Sequence, residues 1–551
     1  MAEISKIAII GSGAGSSELA ALAREKGISV VDLQPGADLS ALPGCQVIVE
    51  ASSGDLTSRA AILADASATA DPDAVLVTTD PTLSTTDLAL ATGVPQRVVG
   101  LALALPADAQ SLAEVAVTPL AASAAVATVT DLCEQLDRTT MQLNDRAGLV
   151  TTRLLFGYLN HAVGMVEAGY ASKQDVDAAM RFGCGYPVGP IAMLDAIGLD
   201  VVADGLANLY DTTGERVHAP APILNQLIAA GRLGQKSGAG FYTYDGAGSS
   251  QVVAAPEDTV VAGTPAAPRA VQSVGVIGSG TMATGIIEVF AKSGFDVTFV
   301  ARSEEKVARV AAALAKSLDK QVSKGRLAEA ERDQIVARTN GVTSVAGLDQ
   351  VDLALEAVVE DLEIKLELFR ELDRVCKPGA VLATTTSSLP VVEMAAVTDR
   401  PQDVVGLHFF NPAPIMKLVE IVSTVATAPD VLATAQDVCA RTKKVAVECG
   451  DRGGFIVNAL LFPYLNDAVR MLEANYASKE EIDQAIKAAV GFPMGPFQLL
   501  DVVGNDVSLA IQEVLLAEFR DPGFTPAKTL QDVVQAGFLG RKTGRGFYEY
   551  S

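Results

Sequence analysis

Two halves of the chain repeat each other at a fixed spacing. The segment SGAGFYTY ends at Tyr244, and the similar segment TGRGFYEY ends at Tyr550, which is 306 positions later. GLVTTRLLFGYLN begins at Gly148 and GFIVNALLFPYLN begins at Gly454, again 306 positions apart. Matched segments at one constant spacing indicate an internal duplication, and each copy of a duplicated unit brings its own core. The sequence therefore predicts two copies of one fold, here called the first and the second copy.

The spacing is shorter near the start of the two copies. IIGSGAG around Gly11 and VIGSGTM around Gly278 are 267 positions apart. The difference from 306 means that the first copy lacks about 39 residues, just after its second predicted strand. We therefore expect the first copy to be a shortened version of the second.

Each copy begins with an α/β region and continues with a helical one. In the second copy, short β-branched runs such as SVGVI and DVTFV alternate with helical stretches, which indicates βαβ units and a mostly parallel sheet. After them, apolar residues from Phe455 to Leu472 recur at the i, i+3, i+4 spacing of one helix face. Residues 246–270 are rich in Gly, Ala and Pro and lack periodicity, so we interpret them as a linker.

The composition argues against several classes of function. The chain has 42 Lys and Arg against 66 Asp and Glu, and a net charge of -24 would repel a polyanion, so nucleic-acid binding is disfavoured. Six cysteines without CxxC spacing indicate reduced thiols, and we predict no metal site. Neither a signal-peptide pattern nor a membrane-length apolar run is present, so we expect no membrane partner and a soluble, cytoplasmic protein.

A glycine-rich turn opens the second copy. Gly278-Ser-Gly280-Thr281-Met282 follows the predicted strand SVGVI and precedes a predicted helix. Glycines there let the backbone turn tightly and approach a pyrophosphate, while the helix N-terminus offers free N–H groups. This context favours dinucleotide binding by Gly278, Gly280, Thr281 and Met282 over a simple glycine-rich turn. The predicted fold class is an α/β Rossmann-type domain plus an all-α C-terminal domain, duplicated in tandem.

The end of the second predicted strand bears on the choice of dinucleotide. An Asp or Glu there would hold the ribose hydroxyls of NAD, whereas this chain has Ala301, Arg302 and Ser303. Arg302 slightly favours the 2′-phosphate of NADP, so the predicted cofactor is NAD(P). The alternative is that Arg302 stacks on the adenine or points into solvent.

One histidine has a carboxylate close by in sequence. His408 is one of three histidines in the chain, and Glu420 follows it twelve positions later. A histidine that exchanges protons near neutral pH commonly needs a carboxylate to fix its tautomer and stabilise its imidazolium. The segment GLHFFNPAPIMKLVE therefore predicts an acid/base pair. The alternative is a core histidine next to an unrelated acidic residue.

From about Val271 to Tyr550, the second copy resembles the 3-hydroxyacyl-CoA dehydrogenase family, also called the 3-hydroxybutyryl-CoA dehydrogenase family. The resemblance rests on GSGTM, LEAVVEDLEIK, TTSSL, GLHFFNPAP, KLVE, GFIVNALL, GFPMGPFQLLD and RKTGRGFYEY, in that order. Thr384-Thr385 stands where the family usually has Ser-Asn, which leaves some nicotinamide-side contacts open.

The resemblance implies a role for several polar residues. His408 is implied as the general acid/base on the substrate 3-hydroxyl, with Glu420 orienting and charging it. Ser387 and Asn458 are implied as catalytic and substrate-binding contacts to the reacting oxygens. The other implied contacts are Glu360 and Lys365 on the cofactor side, and Lys320 and Lys324 with the phosphates of coenzyme A. For the last two lysines, a solvated helix face is an equal alternative.

The resemblance also implies the domain bounds. We expect a degenerate Rossmann-like domain at 1–146, a helical domain at 147–245, a linker at 246–270, an NAD(P)-binding Rossmann domain at 271–452 and a helical domain at 453–551. Family members commonly dimerise through the helical domains. The two helical domains here are therefore expected to form an internal pseudo-dimer, in a monomer or a homodimer.

The first copy has lost most of the implied catalytic groups. At the spacing of 306, the positions of His408, Ser387, Asn458 and Glu420 hold Ala102, Pro81, Thr152 and Glu114. Because alanine cannot transfer a proton, we predict that the first copy is catalytically inactive.

The combined prediction is a reversible NAD(P)-dependent (S)-3-hydroxyacyl-CoA dehydrogenase of fatty acid metabolism, acting on an acyl-CoA thioester at one active site in the second copy. Two alternatives stay open. One is a dehydrogenase of free β-hydroxyacids, and the other is a non-catalytic structural or ligand-binding relative. The acyl chain length and the presence of a terminal carboxylate on the substrate do not follow from the sequence.

Overall fold

A computed structural model of the chain describes residues 3–13, 15–103, 112–253 and 266–550. The first copy contains strands β1 (Lys6–Ile10), β2 (Ser29–Leu33), β3 (Val47–Glu50), β4 (Val75–Thr78), β5 (Val98–Leu103), β6 (Leu112–Val117) and β7 (Thr139–Asn144). Its helices are α1 (Ser16–Glu25), α2 (Leu56–Thr69), α3 (Thr85–Ala91), α4 (Ser123–Gln135), α5 (Thr151–Glu167), α6 (Lys173–Gly183), α7 (Pro190–Ile197), α8 (Leu199–Thr213) and α9 (Pro222–Ala229).

The second copy repeats this order with additions. Its strands are β10 (Ser273–Ile277), β11 (Asp296–Val300), β12 (Thr339–Val342), β13 (Leu353–Glu356), β14 (Val381–Thr384), β15 (Val404–Phe409), β16 (Leu418–Ser423) and β17 (Val445–Gly450). Its helices are α10 (Thr281–Lys292), α11 (Glu304–Ser323), α12 (Glu329–Ala337), α13 (Leu362–Val375), α14 (Val391–Ala396), α15 (Pro429–Arg441), α16 (Val457–Glu473), α17 (Lys479–Val490), α18 (Pro496–Val503), α19 (Asn505–Phe519) and α20 (Lys528–Gln535).

The two large sheets have the same strand order, apart from one additional edge strand, β12, in the second copy. The first runs β2-β1-β3-β4-β5-β6-β7, and the second runs β12-β11-β10-β13-β14-β15-β16-β17. Neighbouring strands are parallel except for the antiparallel pairs β5–β6 and β15–β16. Helices α11 and α12 and strand β12 account for the segment that the first copy lacks. The predicted duplication, the mostly parallel sheets and the position of the shortening are all confirmed.

The sheets bring the chemically interesting residues to one edge. Parallel strands buried on both faces are continuous apolar runs, and β13 and β14 are buried along their whole length. Their polar residues come at their carboxyl ends, as with Glu356 and Thr384. Ligands of open α/β sheets bind in the crevice outside these carboxyl ends.

A repeated pair of buried aspartates explains why the helical domains end alike. Asp501 in α18 accepts hydrogen bonds from two backbone N–H groups at 2.9 and 2.8 Å and from the Tyr550 hydroxyl at 3.0 Å. A Cβ atom at Gly546 would lie 1.9 Å from the same carboxylate, so the position admits only glycine. Asp195 makes the matching bonds in the first copy, including one from Tyr244 at 2.9 Å.

The two helical domains pack against each other. Helices α5 and α16 carry Tyr158 and Tyr464, whose ring centroids are 5.8 Å apart. Tyr186 of the first copy stacks on Phe492 of the second at 3.5 Å with an 8° angle between the ring planes. This aromatic cluster is the contact expected between the duplicated helical domains.

The predicted linker has more structure than its composition suggests. Residues Val252–Val253 form β9, which pairs antiparallel with β8 (Thr243–Tyr244). Two residues of the predicted linker thus form a short strand, which β-branched side chains favour. Residues 254–265 of the predicted linker lie outside the described residues. Among the helices that the structure describes, none has the length and apolarity needed to cross a bilayer.

Candidate active site

His408 and Glu420 face each other on neighbouring strands. They are directly opposite in the antiparallel pair β15–β16. The distance between Nδ1 of His408 and Oε2 of Glu420 is 2.6 Å, and the Glu420 side chain is fully buried. A carboxylate only accepts hydrogen bonds, so Nδ1 carries a hydrogen, and in the neutral form of the ring Nε2 then has the lone pair.

The second oxygen of Glu420 is held by the start of a helix. Oε1 accepts hydrogen bonds from the backbone N–H groups of Ile456 at 3.1 Å and Val457 at 2.9 Å, where α16 begins. The positive end of the helix dipole favours a carboxylate there. Glu420 is thus fixed at both oxygens, and it in turn fixes the His408 ring.

Two aromatic rings surround the histidine. The ring centroid of Phe410 is 4.5 Å from that of His408, and the Phe455 centroid is 5.5 Å away. His408 itself is 7% exposed. An imidazole in such surroundings is shielded from bulk water and restricted to few orientations, which suits a group that exchanges a proton with one substrate atom.

Ser387 and Asn458 lie together, and Ser387 also contacts Glu360. Asn458, in the first turn of α16, donates from its amide to the carbonyl of Ser387 at 3.4 Å. The Ser387 backbone N–H and hydroxyl both donate to Oε1 of Glu360, at 2.9 and 3.2 Å. Asn458 follows Val457 in the chain, and the backbone N–H of Val457 binds Glu420. Asn458 is therefore near the pair of His408 and Glu420. The structure therefore brings five of the predicted residues to one edge of the sheet: His408, Glu420, Ser387, Asn458 and Glu360.

Glu360 is kept ionised by its neighbours. Burial alone would raise the pKa of its carboxyl group, but the ammonium of Lys365 and the hydrogen bonds from Thr386 and Ser387 lower that pKa below its usual value. The Thr386 hydroxyl donates to Oε1 of Glu360 at 2.6 Å. Thr386 was not anticipated from the sequence, although it lies in the same polar run as Ser387.

Lys365 is a buried residue. Its side chain is 1% exposed, and Nζ lies 2.7 and 2.8 Å from the two carboxylate oxygens of Glu356 and 3.3 Å from Glu360. Glu356 is itself fully buried and also accepts a bond from the Thr384 hydroxyl at 2.7 Å. The sequence predicts Lys365 on the cofactor side, and in the structure its ammonium is bound to these two carboxylates.

Glu356 is the most important residue that sequence reasoning missed. A usable signal was present, because Glu50 and Arg59 in the first copy repeat the spacing of Glu356 and Lys365. The Arg59 guanidinium lies 2.8 Å from Glu50, and both side chains are buried. Repetition of an acid and a base in both copies indicates a structural pair.

The glycine loop has the shape expected of a phosphate-binding turn. Gly278 has φ +146°, and a Cβ atom there would lie 2.3 Å from the carbonyl oxygen of Ala357. A Cβ atom at Gly280 would meet no protein atom within 4 Å, so open space lies in front of this residue. Gly280 is the N-cap of α10, and Thr281 and Met282 form its first turn. The loop can therefore present backbone N–H groups to an anion.

Three of the four predicted basic contacts are exposed, and Lys365 is the buried one. Arg302 follows β11, Lys320 lies in the last turn of α11, and Lys324 is the C-cap residue of that helix. Exposure is compatible with a ligand contact and equally with a solvated face.

The equivalent site in the first copy lacks its base. Ala102 faces Glu114 across β5–β6 in the register that His408 and Glu420 occupy in the second copy. Oε1 of Glu114 accepts from the backbone and hydroxyl of Thr151 at 3.0 and 2.8 Å. Oε2 has no hydrogen-bond partner in the structure.

The orphaned carboxyl group should make the stability of the protein depend on pH. Burial raises the pKa of Glu114 from 4.5 to about 7. Between pH 4.5 and about 7, the Glu114 carboxyl group is ionised in the unfolded chain and protonated in the folded chain. The free energy of unfolding therefore falls as the pH rises through this range, by about 3 kcal/mol in total. Denaturant unfolding at a series of pH values should show a fall that is smaller by about this amount in Glu114→Gln than in the wild type, because Asp467, whose pKa burial also raises to about 7, titrates in both proteins. Equal pH dependence in the two proteins would contradict the prediction.

Residues of the first copy pack against the strands of the second copy that carry or adjoin Glu420. The Tyr170 hydroxyl donates to the carbonyl of Gly450 at 2.9 Å, and the Arg452 guanidinium lies 3.7 Å from the centre of the Tyr170 ring. A Cβ atom at Gly183 would lie 2.9 Å from the Leu418 side chain, so α6 lies directly against β16. The first copy therefore supports the strand that carries Glu420, a contact that the sequence alone did not reveal.

Two families of known protein domains match this chain, and each matches both copies. Residues 32–146 and 273–452 match the family of 3-hydroxyacyl-CoA dehydrogenase NAD binding domains. Residues 148–244 and 454–550 match the C-terminal domain of 3-hydroxyacyl-CoA dehydrogenase. Each of the two domain types is thus found twice.

Individual relatives correspond to one copy. The chain is 44% identical to the 3-hydroxybutyryl-CoA dehydrogenase of Mycobacterium tuberculosis over 283 residues, which are 51% of this chain and 99% of that protein. It is also 44% identical to the 3-hydroxybutyryl-CoA dehydrogenase of Clostridioides difficile, over 50% of this chain and 98% of the relative. The crystal structure of Mycobacterium tuberculosis FadB2 matches with a TM-score of 0.50 and 44% identity, over 51% of this chain and 100% of that one. The chain therefore belongs to the 3-hydroxyacyl-CoA dehydrogenase family of oxidoreductases, whose two-domain unit it contains twice.

Proposed function

We propose that the second copy catalyses reversible hydride transfer between NAD(P) and C3 of an (S)-3-hydroxyacyl-CoA, and that this is the single active site of the chain. The main support for the proposal is the pair of His408 and Glu420, which are 2.6 Å apart. At the same register, the first copy has Ala102 and Glu114, and therefore lacks the base. The names of relatives that match one copy support an acyl-CoA substrate.

The proposed chemistry follows from the tautomer of the histidine. Oxidation of a secondary alcohol requires a base for the hydroxyl proton, and Nε2 of His408 is that base because Nδ1 donates to Glu420. As the imidazole becomes charged, the buried Glu420 carboxylate stabilises it. Asn458 and Ser387 supply the polar groups that hold the substrate oxygens.

The glycine loop fits the dinucleotide. The open space at Gly280 and the first turn of α10 would hold the pyrophosphate, with Thr281 and Met282 at its edge. When bound, the nicotinamide supplies the hydride acceptor or donor. Glu360, held by Lys365 and by Ser387, orders the loop on the cofactor side of the cleft. Lys320 and Lys324 would contact the phosphates of coenzyme A from α11.

The test is the reduction of acetoacetyl-CoA followed at 340 nm with NADH and with NADPH. Turnover of the thioester together with failure to turn over free acetoacetate supports the proposal, because a dehydrogenase of free β-hydroxyacids would act on both. Absence of turnover with both cofactors would favour the non-catalytic alternative.

Arg302 is proposed to bias the enzyme towards NADP. Removing a guanidinium that contacts a phosphate costs on the order of 1.4 kcal/mol or more, which corresponds to about tenfold in affinity. Arg302→Ala should therefore raise the KM for NADPH about tenfold and leave the KM for NADH within about twofold. An equal effect on both cofactors would mean that Arg302 contacts the shared part of the dinucleotide, and no effect would place it in solvent.

A further inference from the structure

The first copy contains a buried carboxylate oxygen with no partner. Glu114 is 3% exposed, and Thr151 satisfies only its Oε1 atom. Among the residues that the structure describes, none forms a hydrogen bond with Oε2. Buried polar atoms are nearly always paired, because leaving one unpaired costs the full price of removing it from water. In its ionised form, an unpaired carboxylate oxygen at this depth is therefore a strong acceptor for a donor that can reach it, and a cationic donor favours that ionised form.

A void lies next to this oxygen. A cavity of about 20 Å³ is bounded by Ala102, Glu114 and Thr152 among others, at the place that corresponds to the imidazole ring of the second copy. It shares Ala102, Leu103, Thr152 and Phe156 with a larger cavity of about 410 Å³. The two cavities therefore adjoin at these residues, so a molecule in the larger cavity lies next to the space beside the Glu114 carboxyl group.

The larger cavity carries an excess of acidic groups. Its walls include Asp55, Asp80, Asp200 and Asp204. Arg59, the basic residue among its lining residues, is bound to Glu50 at 2.8 Å and to Asp80 at 3.3 Å. Asp200 is bound to Lys236 at 2.6 Å. After these pairs are counted, the surplus charge of the walls is negative, so the cavity attracts cations and repels anions.

The glycine loop of the first copy does not offer the cradle seen in the second. The backbone N–H of Gly13 donates to the carbonyl of Ala51 at 2.5 Å, and a Cβ atom at Gly13 would lie 2.5 Å from that oxygen. Helix α1 begins only at Ser16, three residues after Gly13, whereas α10 begins directly after Gly280. A dinucleotide pyrophosphate would therefore meet an occupied N–H group and acidic walls.

We propose that the cleft of the first copy binds a small organic cation of the imidazolium or ammonium class, whose N–H group donates to Oε2 of Glu114 in the space that the His408 ring fills in the second copy. The charged head lies between Ala102 and Glu114. The remainder of the molecule extends into the larger cavity, along Phe156 and towards Asp80 and Asp204. This inference does not depend on the activity proposed for the second copy.

The test uses imidazole as the probe, titrated calorimetrically into the full-length protein in a buffer without amines. The wild type should bind one equivalent with a dissociation constant in the millimolar range. Glu114→Gln should bind about tenfold more weakly or not at all, because it loses one charge-assisted hydrogen bond. Pyrazole has the same ring shape and is neutral at pH 7, so it should bind more weakly than imidazole.

Substitutions in the two copies should change the number of imidazole molecules that bind to each chain. Ala102→His places an imidazole on the chain itself and should reduce the stoichiometry from one to zero. His408→Ala should open the matching space next to Glu420, so the number of imidazole molecules bound per chain should rise to two. Far-UV circular dichroism and the midpoint of thermal unfolding show that each variant is folded.

Three results would overturn the proposal. They are no saturable binding by the wild type, binding that appears only in His408→Ala, and equal affinity of the wild type and Glu114→Gln. A crystal of the protein soaked in imidazole gives the direct view. Density for the ring beside Glu114 supports the proposal, and a single ordered water there, for which about 15 Å³ suffices, contradicts it.

Discussion

Replacing His408 by alanine should lower the kcat of acetoacetyl-CoA reduction by about 100-fold to 10,000-fold, the range that a positioned general acid/base contributes. Within the part of the chain that the structure describes, Nε2 forms no hydrogen bond, and the Nδ1 bond to Glu420 orients the ring and stabilises its charged form. The KM for the nicotinamide cofactor should change little, because the glycine loop lies on β10 and α10. Steady-state kinetics at saturating cofactor measure both quantities.

The duplication provides a matched control for this experiment. Glu420→Gln should reduce kcat strongly, because the histidine loses the charge that stabilises its imidazolium. Glu114→Gln makes the same change at the same register of the first copy and should leave kcat unchanged. If Glu114→Gln lowered kcat as much as Glu420→Gln, the assignment of a single site to the second copy would be wrong. Retained activity in His408→Ala would point to another base.

The sequence predicted the parts of the site that depend on order along the chain. The glycine loop was recognisable because a turn between a strand and a helix has a fixed local pattern around Gly278 and Gly280. The pairing of His408 and Glu420 was predicted from proximity in sequence. Their opposition at 2.6 Å depends on one antiparallel strand pair in an otherwise parallel sheet. A strand buried on both faces lacks the alternation of apolar and polar residues that would indicate its register, and the burial of β15 and β16 depends on elements far away in the chain.

Contacts between distant segments could not be predicted in the same way. The bond between Tyr170 and Gly450 joins residues 280 positions apart, across the interface between the two copies. The duplication indicated that the helical domains would meet, but not that α6 would lie against β16 behind Glu420. The burial of a charged side chain could not be predicted either. Lys365 is buried although it lies in an amphipathic helix whose other charged residues are mostly exposed.

Lys365 carries the second large prediction. Removal of the ammonium in Lys365→Ala should destabilise the second Rossmann domain by about 3–5 kcal/mol, because a fully buried carboxylate on Glu356 loses its counter-charge. The remaining donors to Glu356 are the backbone of Val358 at 2.7 Å and the hydroxyl of Thr384 at 2.7 Å, which are neutral. Equilibrium unfolding in urea, followed by circular dichroism, measures the loss.

The first copy supplies the control, because Arg59 pairs with Glu50 at 2.8 Å in the corresponding place. Lys365→Arg should therefore retain most of the stability that Lys365→Ala loses. The double substitution of Lys365→Met with Glu356→Gln should also recover much of it, since removing both charges leaves no unpaired one. A direct role in binding the dinucleotide makes the opposite prediction. In that case Lys365→Ala would raise the KM for the cofactor without changing the urea midpoint, and the ion pair with Glu356 would be incidental to folding.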